Sequence, residues 1–156
     1  MPSDPNDNPG VIAPPPVIFI AALVLGFGLD FLWPLPLVPT DVRIYAGGFL
    51  ILISFVPAIW MMRLFIKART NLDVRKPTHK IVTSGPFRWT RNPAYLSLSL
   101  LIFGIAIAAD SIWVVLWLVV VMIVTHYKII LREEAYLEQK FGAEYLDYKA
   151  TVRRWI

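Results

Sequence analysis

Cysteine is absent from the chain of 156 residues. Its absence excludes disulfides, thiolate metal sites and a cysteine nucleophile, and leaves the redox compartment undetermined. Charge is scarce: 17% of residues are Asp, Glu, Lys or Arg, against 57% hydrophobic. Histidine occurs only at His79 and His126, and no other ligand type lies near either at metal-binding spacing, so no metal is expected. No Gly-x-Gly-x-x-Gly fingerprint is present, which argues against a dinucleotide fold. The N-terminus lacks the positive n-region of a secretory signal, so residues 1–33 are not expected to be cleaved.

Long uncharged runs are what the chain has instead. The mean hydropathy is +0.61. Soluble domains of this size rarely run so apolar, and the length allows one domain with about four spans. The sequence pI near 9.5 could suggest nucleic acid. However, the basic residues flank apolar segments and form no separate soluble domain, so membrane lipids are the expected partner and nucleic acid is not. The expected fold class is an all-α integral membrane protein. It has about four transmembrane helices, a tight C-terminal helical hairpin and a cytoplasmic amphipathic C-terminal segment.

Residues 1–16 are rich in Pro, Asn and Asp and are expected to be a disordered tail. Val17 to Trp33 is a first span, and Pro34 to Pro39 a turn that cannot continue a helix. Ile44 to Phe65 is a second span, with Pro57 expected to kink it. Two transmembrane helices thus occupy residues 17–66. Lys67 to Arg91 is polar and basic. Ala94 to Ala109 and Ser111 to Leu131 are third and fourth apolar runs separated by Asp110, which predicts a tight hairpin over residues 94–131. From Arg132 the pattern turns amphipathic, with Gly142 as a break.

Charge asymmetry predicts the topology. Arg63, Lys67, Arg69, Arg75, Lys76, Lys80, Arg88 and Arg91 lie between the second and third spans. The C-terminal region adds Lys128, Arg132, Lys140, Lys149, Arg153 and Arg154, whereas the opposite side offers only Arg43. Both termini and the polar loop are therefore expected in the cytoplasm. A short chain without an organelle signal points to a bacterial inner membrane.

Two polar clusters carry the chemistry. Gly85-Pro86 reads as a turn in which a small residue lets a ligand or another backbone approach closely. Asn92-Pro93 reads as a helix start, with Asn92 as N-cap and Pro93 at the first helical position. The free N–H groups of that helix start and the Arg91 guanidinium favour an anion such as a carboxylate or phosphate, with Tyr95 about one turn further on. The fourth run returns His126, Arg132, Glu133 and Glu134 to the same membrane side. The two glutamates could receive a cationic group or ribose hydroxyls. An anion-binding end beside a cation-binding end suits a zwitterionic amino-acid moiety. Each feature alone has a plainer reading: a turn, a solvated acidic helix turn, an interhelical histidine, a basic topology signal, or, for the tail tyrosines, simple packing.

The order Gly-Pro-Phe, Arg-Asn-Pro-x-Tyr, helical hairpin, Glu-Glu-x-x-Leu and Phe-Gly-x-x-Tyr-x-x-Tyr resembles the isoprenylcysteine carboxyl methyltransferase family and its relatives, the phospholipid methyltransferases. The matching stretch runs from about Lys80 to Trp155. The resemblance implies an integral membrane enzyme that uses S-adenosylmethionine, with residues 67–156 as the cofactor-binding catalytic region. It implies that His79, Val82, Gly85, Pro86 and Phe87 line the cofactor, with Arg91, Asn92, Pro93, Tyr95, Glu133 and Glu134 as the signature residues. Arg91, Tyr95, Glu133 and Glu134 are the implied catalytic set. The expected reaction is carboxyl O-methylation of an isoprenoid-linked or other lipophilic acceptor, a small molecule or a lipid-modified one. The alternatives are phospholipid amine N-methylation and a non-catalytic lipid- or partner-binding role, with a reductase as a weaker option. Many family members carry histidine where this chain has Asn92, and asparagine cannot act as acid or base near neutral pH.

Overall fold

In a computed structural model the described residues are 9–11, 13–37, 40–71 and 77–156. Much of the proposed N-terminal tail, and the loop residues Arg75 and Lys76, lie outside them. The described residues form helices joined by loops, without strands. Its helices are α1 (Pro15–Leu32), α2 (Thr40–Ala68), α3 (Pro93–Ala109), α4 (Ile112–Thr125), α5 (Leu131–Phe141) and α6 (Ala143–Thr151). A single 3₁₀ turn covers Gly85–Arg88, and a π-helical turn, His126–Ile130, joins α4 to α5.

Helix is the expected solution for such runs, because only intrasegment hydrogen bonds satisfy a backbone immersed in lipid. Three segments are long and apolar enough to cross a membrane: Pro15–Leu32, Asp41–Ala68 and Ile112–Phe141. The shorter α3 has 17 residues, or about 26 Å at 1.5 Å per residue. The four expected apolar segments are therefore present, three of them at full spanning length. Pro57 lies inside α2 and does not end it. The fourth run does not stop at Leu131. Apolar and amphipathic parts form one helical segment of 30 residues, Ile112–Phe141. No Gly or Pro lies within it, and the chain breaks only at Gly142, whose φ of +53° is open to glycine.

The chain divides into two compact units. A hairpin unit comprises Pro15–Val56 and Tyr95–Thr125. A terminal unit comprises Met1–Pro14, Pro57–Ala94 and His126–Ile156.

The hairpin unit is held by close backbone approach. Without a hydrophobic driving force between helices in lipid, small residues that let helices touch become the packing code. Gly26 of α1 faces Val114 of α4, where an added Cβ would fall 2.6 Å from the Val114 Cα. Phe19 and Ala22 of α1 are buried with it. On α2, a Cβ at Gly47 would lie 2.5 Å from the Ala108 nitrogen, and one at Gly104 of α3 would lie 2.8 Å from the Ile51 nitrogen.

Asp110 organises one end of this unit. It takes a left-handed conformation, with φ +59°, directly after α3. Asp110 N–H donates to the Ile107 carbonyl (3.2 Å) and Ser111 N–H to that of Ala106 (3.0 Å), the paired pattern that closes a helix through one left-handed residue. One Asp110 carboxylate oxygen then accepts from Leu37 N–H at 2.7 Å, and the other pairs with Arg43 at 3.2 Å. Arg43 is thereby paired with an aspartate of the same corner. Trp113 adds a hydrogen bond from its indole nitrogen to the Trp33 carbonyl, 2.7 Å.

Gly47 and Gly48 are adjacent on α2, yet nothing lies within 4 Å of a Cβ at Gly48. Gly47→Ala should therefore lower stability by about 1–3 kcal/mol through overpacking. Gly48→Ala should be neutral or slightly stabilising through better helix propensity. Thermal unfolding of both variants in lipid nanodiscs checks this, and equal effects would contradict the helix contact described.

Candidate functional site

All the sequence-proposed site residues except Tyr95 belong to the terminal unit. Their frame is the second half of α2, the 3₁₀ turn, α5, α6 and the C-terminal residues.

The turn Gly85–Arg88 is seated on α2. Gly85 has φ +63°, and a Cβ there would meet Leu64 Cδ1 at 2.6 Å and Trp60 Nε1 at 2.8 Å. Glycine is thus required by both backbone and packing, and the groups that approach it are side chains of α2. Trp89 meets Trp60 edge-to-face, with ring centroids 5.7 Å apart, and Phe87 stacks at a tilt on Phe65 at 5.6 Å. Pro86 is buried between these contacts.

Beyond the turn, the backbone is laced to the C-terminal residues. Arg91 N–H donates to the Arg153 carbonyl at 3.0 Å. The Arg154 carbonyl accepts from Thr90 Oγ1 (3.0 Å) and from the Asn92 side-chain amide (2.9 Å). Tyr148 of α6 donates its hydroxyl to the Phe87 carbonyl, 2.8 Å. Asn92 precedes α3, and Pro93, fully buried, occupies its first position. The segment 152–156 therefore acts as a strap across residues 87–92.

Glu134 stands at the centre. Its side chain is 7% exposed, on α5. Arg154 grips it with both prongs of the guanidinium fork, Nε to Oε1 at 2.8 Å and Nη2 to Oε2 at 2.7 Å. Arg91 approaches from the segment beneath the strap with Nη2 at 3.4 Å from Oε1. The Arg91 side chain is only 9% exposed, and its Nε and Nη1 have no hydrogen-bond partner. Buried guanidinium donors left unpaired are costly, on the order of 1–3 kcal/mol each. These orphaned donors are the feature of the cluster that asks for a ligand, and an anion is the partner a guanidinium holds most strongly.

Two tyrosines wall the cluster. Burial, and then the Glu134 charge, push the Tyr145 hydroxyl up to about 12, although Arg91 pulls the other way. Burial and neighbouring Tyr145 push the Tyr148 hydroxyl higher still. Both remain protonated at any physiological pH. The hydrogen bond to Glu134 raises Arg154 further above its already basic value.

The remaining proposed residues are dispersed. His79 is exposed; its N–H donates to Thr70 Oγ1 (3.2 Å), and its Nε2 lies 3.4 Å from the Asn71 amide. Val82 is half-buried, and Glu133 is half-buried beside Glu134. Tyr95 is buried in the hairpin unit, where its carbonyl accepts from Ser99 Oγ at 2.8 Å. His126 lies in the π turn against Tyr127, with ring centroids 4.9 Å apart. Among the described residues no cluster of three or more His, Cys, Asp or Glu could hold a metal.

Sequence reasoning missed Arg154, read only as a topology charge, and the hydroxyl roles of Tyr145 and Tyr148, read as packing. One signal was available: Gly142 permits a reversal that returns residues 143–156 alongside α5.

Deleting residues 153–156 should remove amide protection at Arg91, whose N–H loses the Arg153 carbonyl. The amides of α1 and α4 within the hairpin unit should keep theirs. Hydrogen–deuterium exchange in nanodiscs reads both at once, and unchanged protection at Arg91 would contradict the strap.

A protein of Haemophilus influenzae described only as uncharacterised is 40% identical over 62 residues, which are 40% of this chain and 98% of that protein. The family model for phospholipid methyltransferases matches residues 42–144, about two-thirds of the chain. That span takes in α2, the 3₁₀ turn, Arg91, Glu134 and the start of α6, and the family also includes the isoprenylcysteine carboxyl methyltransferases. A helical membrane scaffold carrying a buried arginine–carboxylate centre on this stretch is thus a membrane methyltransferase, and the chain belongs to the phospholipid methyltransferase family.

Proposed function

We propose that the protein uses S-adenosylmethionine to methylate a lipophilic carboxylate at the membrane surface. The observation that carries this reading is the pair of unpartnered, buried donors of Arg91, Nε and Nη1. A carboxylate accepts a charge-assisted hydrogen bond from either donor, and the methionine part of the cofactor presents one. Glu133, on the same turn of α5 as Glu134, is suited to the cofactor ammonium or ribose. His79, Val82 and the Gly85–Phe87 turn are proposed to line the adenosyl part, and Pro93, Asn92 and Tyr95 to complete the site around the start of α3.

The bound cofactor supplies an electrophilic methyl group on a sulfonium. The protein's own task is then to hold the acceptor in line and exclude water. The titratable groups around Arg91 favour an acceptor that is already a nucleophile. Glu134 has both oxygens engaged by guanidinium groups, and Tyr145 and Tyr148 hold their protons. None of these three is poised to take a proton, as a primary amine would require before attack. Asn92 cannot do so either. A carboxylate needs no base, which supports ester formation on an isoprenoid-linked or similar lipid. Amine N-methylation of a phospholipid is the second reading, favoured by the family's principal description.

The charge distribution supports a cytoplasmic site and cytoplasmic termini, in a bacterial inner membrane. The acceptor would reach the site from the bilayer.

Purified protein in nanodiscs, given methyl-labelled S-adenosylmethionine and a panel of lipids, tests the reading. Label on a prenylated cysteine carboxylate, released by mild alkali, is the expected result. Alkali-stable label on phosphatidylethanolamine would establish the amine reading instead. Arg91→Ala should weaken S-adenosylhomocysteine binding roughly tenfold to hundredfold, the loss of one or two charge-assisted hydrogen bonds. Wild-type affinity in that variant would remove Arg91 from the cofactor site.

A further inference from the structure

Two guanidinium groups compete for one buried carboxylate, and they do not share it equally. Arg154 takes both Glu134 oxygens at 2.8 and 2.7 Å with the fork aligned. Arg91 meets Glu134 through one contact at 3.4 Å, outside the range of a strong charge-assisted bond. Two positive charges against one negative leave the triad one positive charge in excess. That excess resides on the more buried arginine, Arg91 at 9% exposure against 30% for Arg154. A sole arginine–glutamate pair at this depth would close into a bidentate pair, which would engage one of these two donors and neutralise the guanidinium. The third member prevents this.

We propose that Arg154 is a positioning residue whose bidentate hold on Glu134 keeps the Arg91 donors Nε and Nη1 open for the carboxylate of the cofactor. Three further contacts hold Arg154 in place. Its carbonyl fixes Thr90 and Asn92 on either side of Arg91, and the carbonyl of the preceding residue, Arg153, fixes the Arg91 backbone. The same short strap thus sets both the main-chain position of Arg91 and the pairing of its side chain. It follows that Glu134 is the partner of Arg154 and not the receiver of the cofactor ammonium. The inference rests on the S-adenosylmethionine reading of the Arg91 site.

S-Adenosylmethionine and its decarboxylated analogue differ only in the carboxylate, so their affinity ratio reports the Arg91 donors alone. Titration calorimetry in nanodiscs gives that ratio for wild type, Arg154→Gln, Arg154→Lys and the double variant Glu134→Gln/Arg154→Gln. In wild type the carboxylated cofactor should bind roughly tenfold to hundredfold tighter. Arg154→Gln frees Glu134 to close on Arg91, and the ratio should fall toward one while binding of the decarboxylated analogue persists. Arg154→Lys keeps the charge without the fork and should give an intermediate ratio. The double variant removes the competing carboxylate and should restore the preference. If Arg154→Gln does not fold, because a buried carboxylate is left half-paired, the double variant still decides through its ratio. Loss of both affinities in parallel, or no recovery in the double variant, would overturn the positioning role while leaving the cofactor assignment in place. A folded wild-type protein that binds neither cofactor overturns both.

Discussion

A buried carboxylate shared by two arginines is the constraint around which the terminal unit is arranged. Glu134 is brought inward by a helix that runs without interruption out of the apolar run Ile112–Thr125. An ionised carboxylate at 7% exposure is tolerable only if its oxygens are satisfied. The chain answers with a reversal at Gly142, a short helix and a strap that returns Arg154 to it. The same return brings Tyr148 to the Phe87 carbonyl and the Arg153 and Arg154 carbonyls to residues 90–92. Residues widely separated in sequence therefore become one polar network. Arg91 is its incompletely paired member, and incomplete pairing is where ligand chemistry can enter.

The hairpin unit solves a different problem with different means. Its helices are too uniformly apolar to be sorted by hydrophobicity, so small residues set where they touch. Gly26, Gly47 and Gly104 each stand where a Cβ would collide with a neighbouring helix. Asp110 adds the polar fixing point, closing α3 through its own left-handed backbone while its carboxylate ties down Leu37 and Arg43. One unit relies on close backbone contact and a single corner; the other relies on a charged network and aromatic contacts onto α2. Family membership covers parts of both, from residue 42 to residue 144.

Much of this was legible in the sequence because membrane segments have a strong signature. The four apolar runs, the helix start at Pro93, the corner at Asp110 and the break at Gly142 all follow from composition or backbone chemistry. The helix across Leu131 was not foreseen, because the change from apolar to amphipathic composition was read as a boundary when no residue there breaks a helix. The motif residues of the candidate site were visible as clusters, yet their pairing was not. Nothing in the spacing of Arg91, Glu134 and Arg154 says which arginine takes both oxygens; that depends on the path of the chain after Gly142. Gly85 was read as a glycine that lets a ligand or another backbone approach, whereas the groups that approach it are side chains. The partners, Trp60 and Leu64, lie on a helix whose register no local pattern reveals.

The most direct test of the account is a structure of the protein with S-adenosylhomocysteine, determined in lipid nanodiscs. The account predicts the amino-acid carboxylate within about 3 Å of Arg91 Nε or Nη1, with Arg154 still holding both oxygens of Glu134. A carboxylate bound elsewhere, with the Arg91 donors still unpaired or closed onto Glu134, would contradict it.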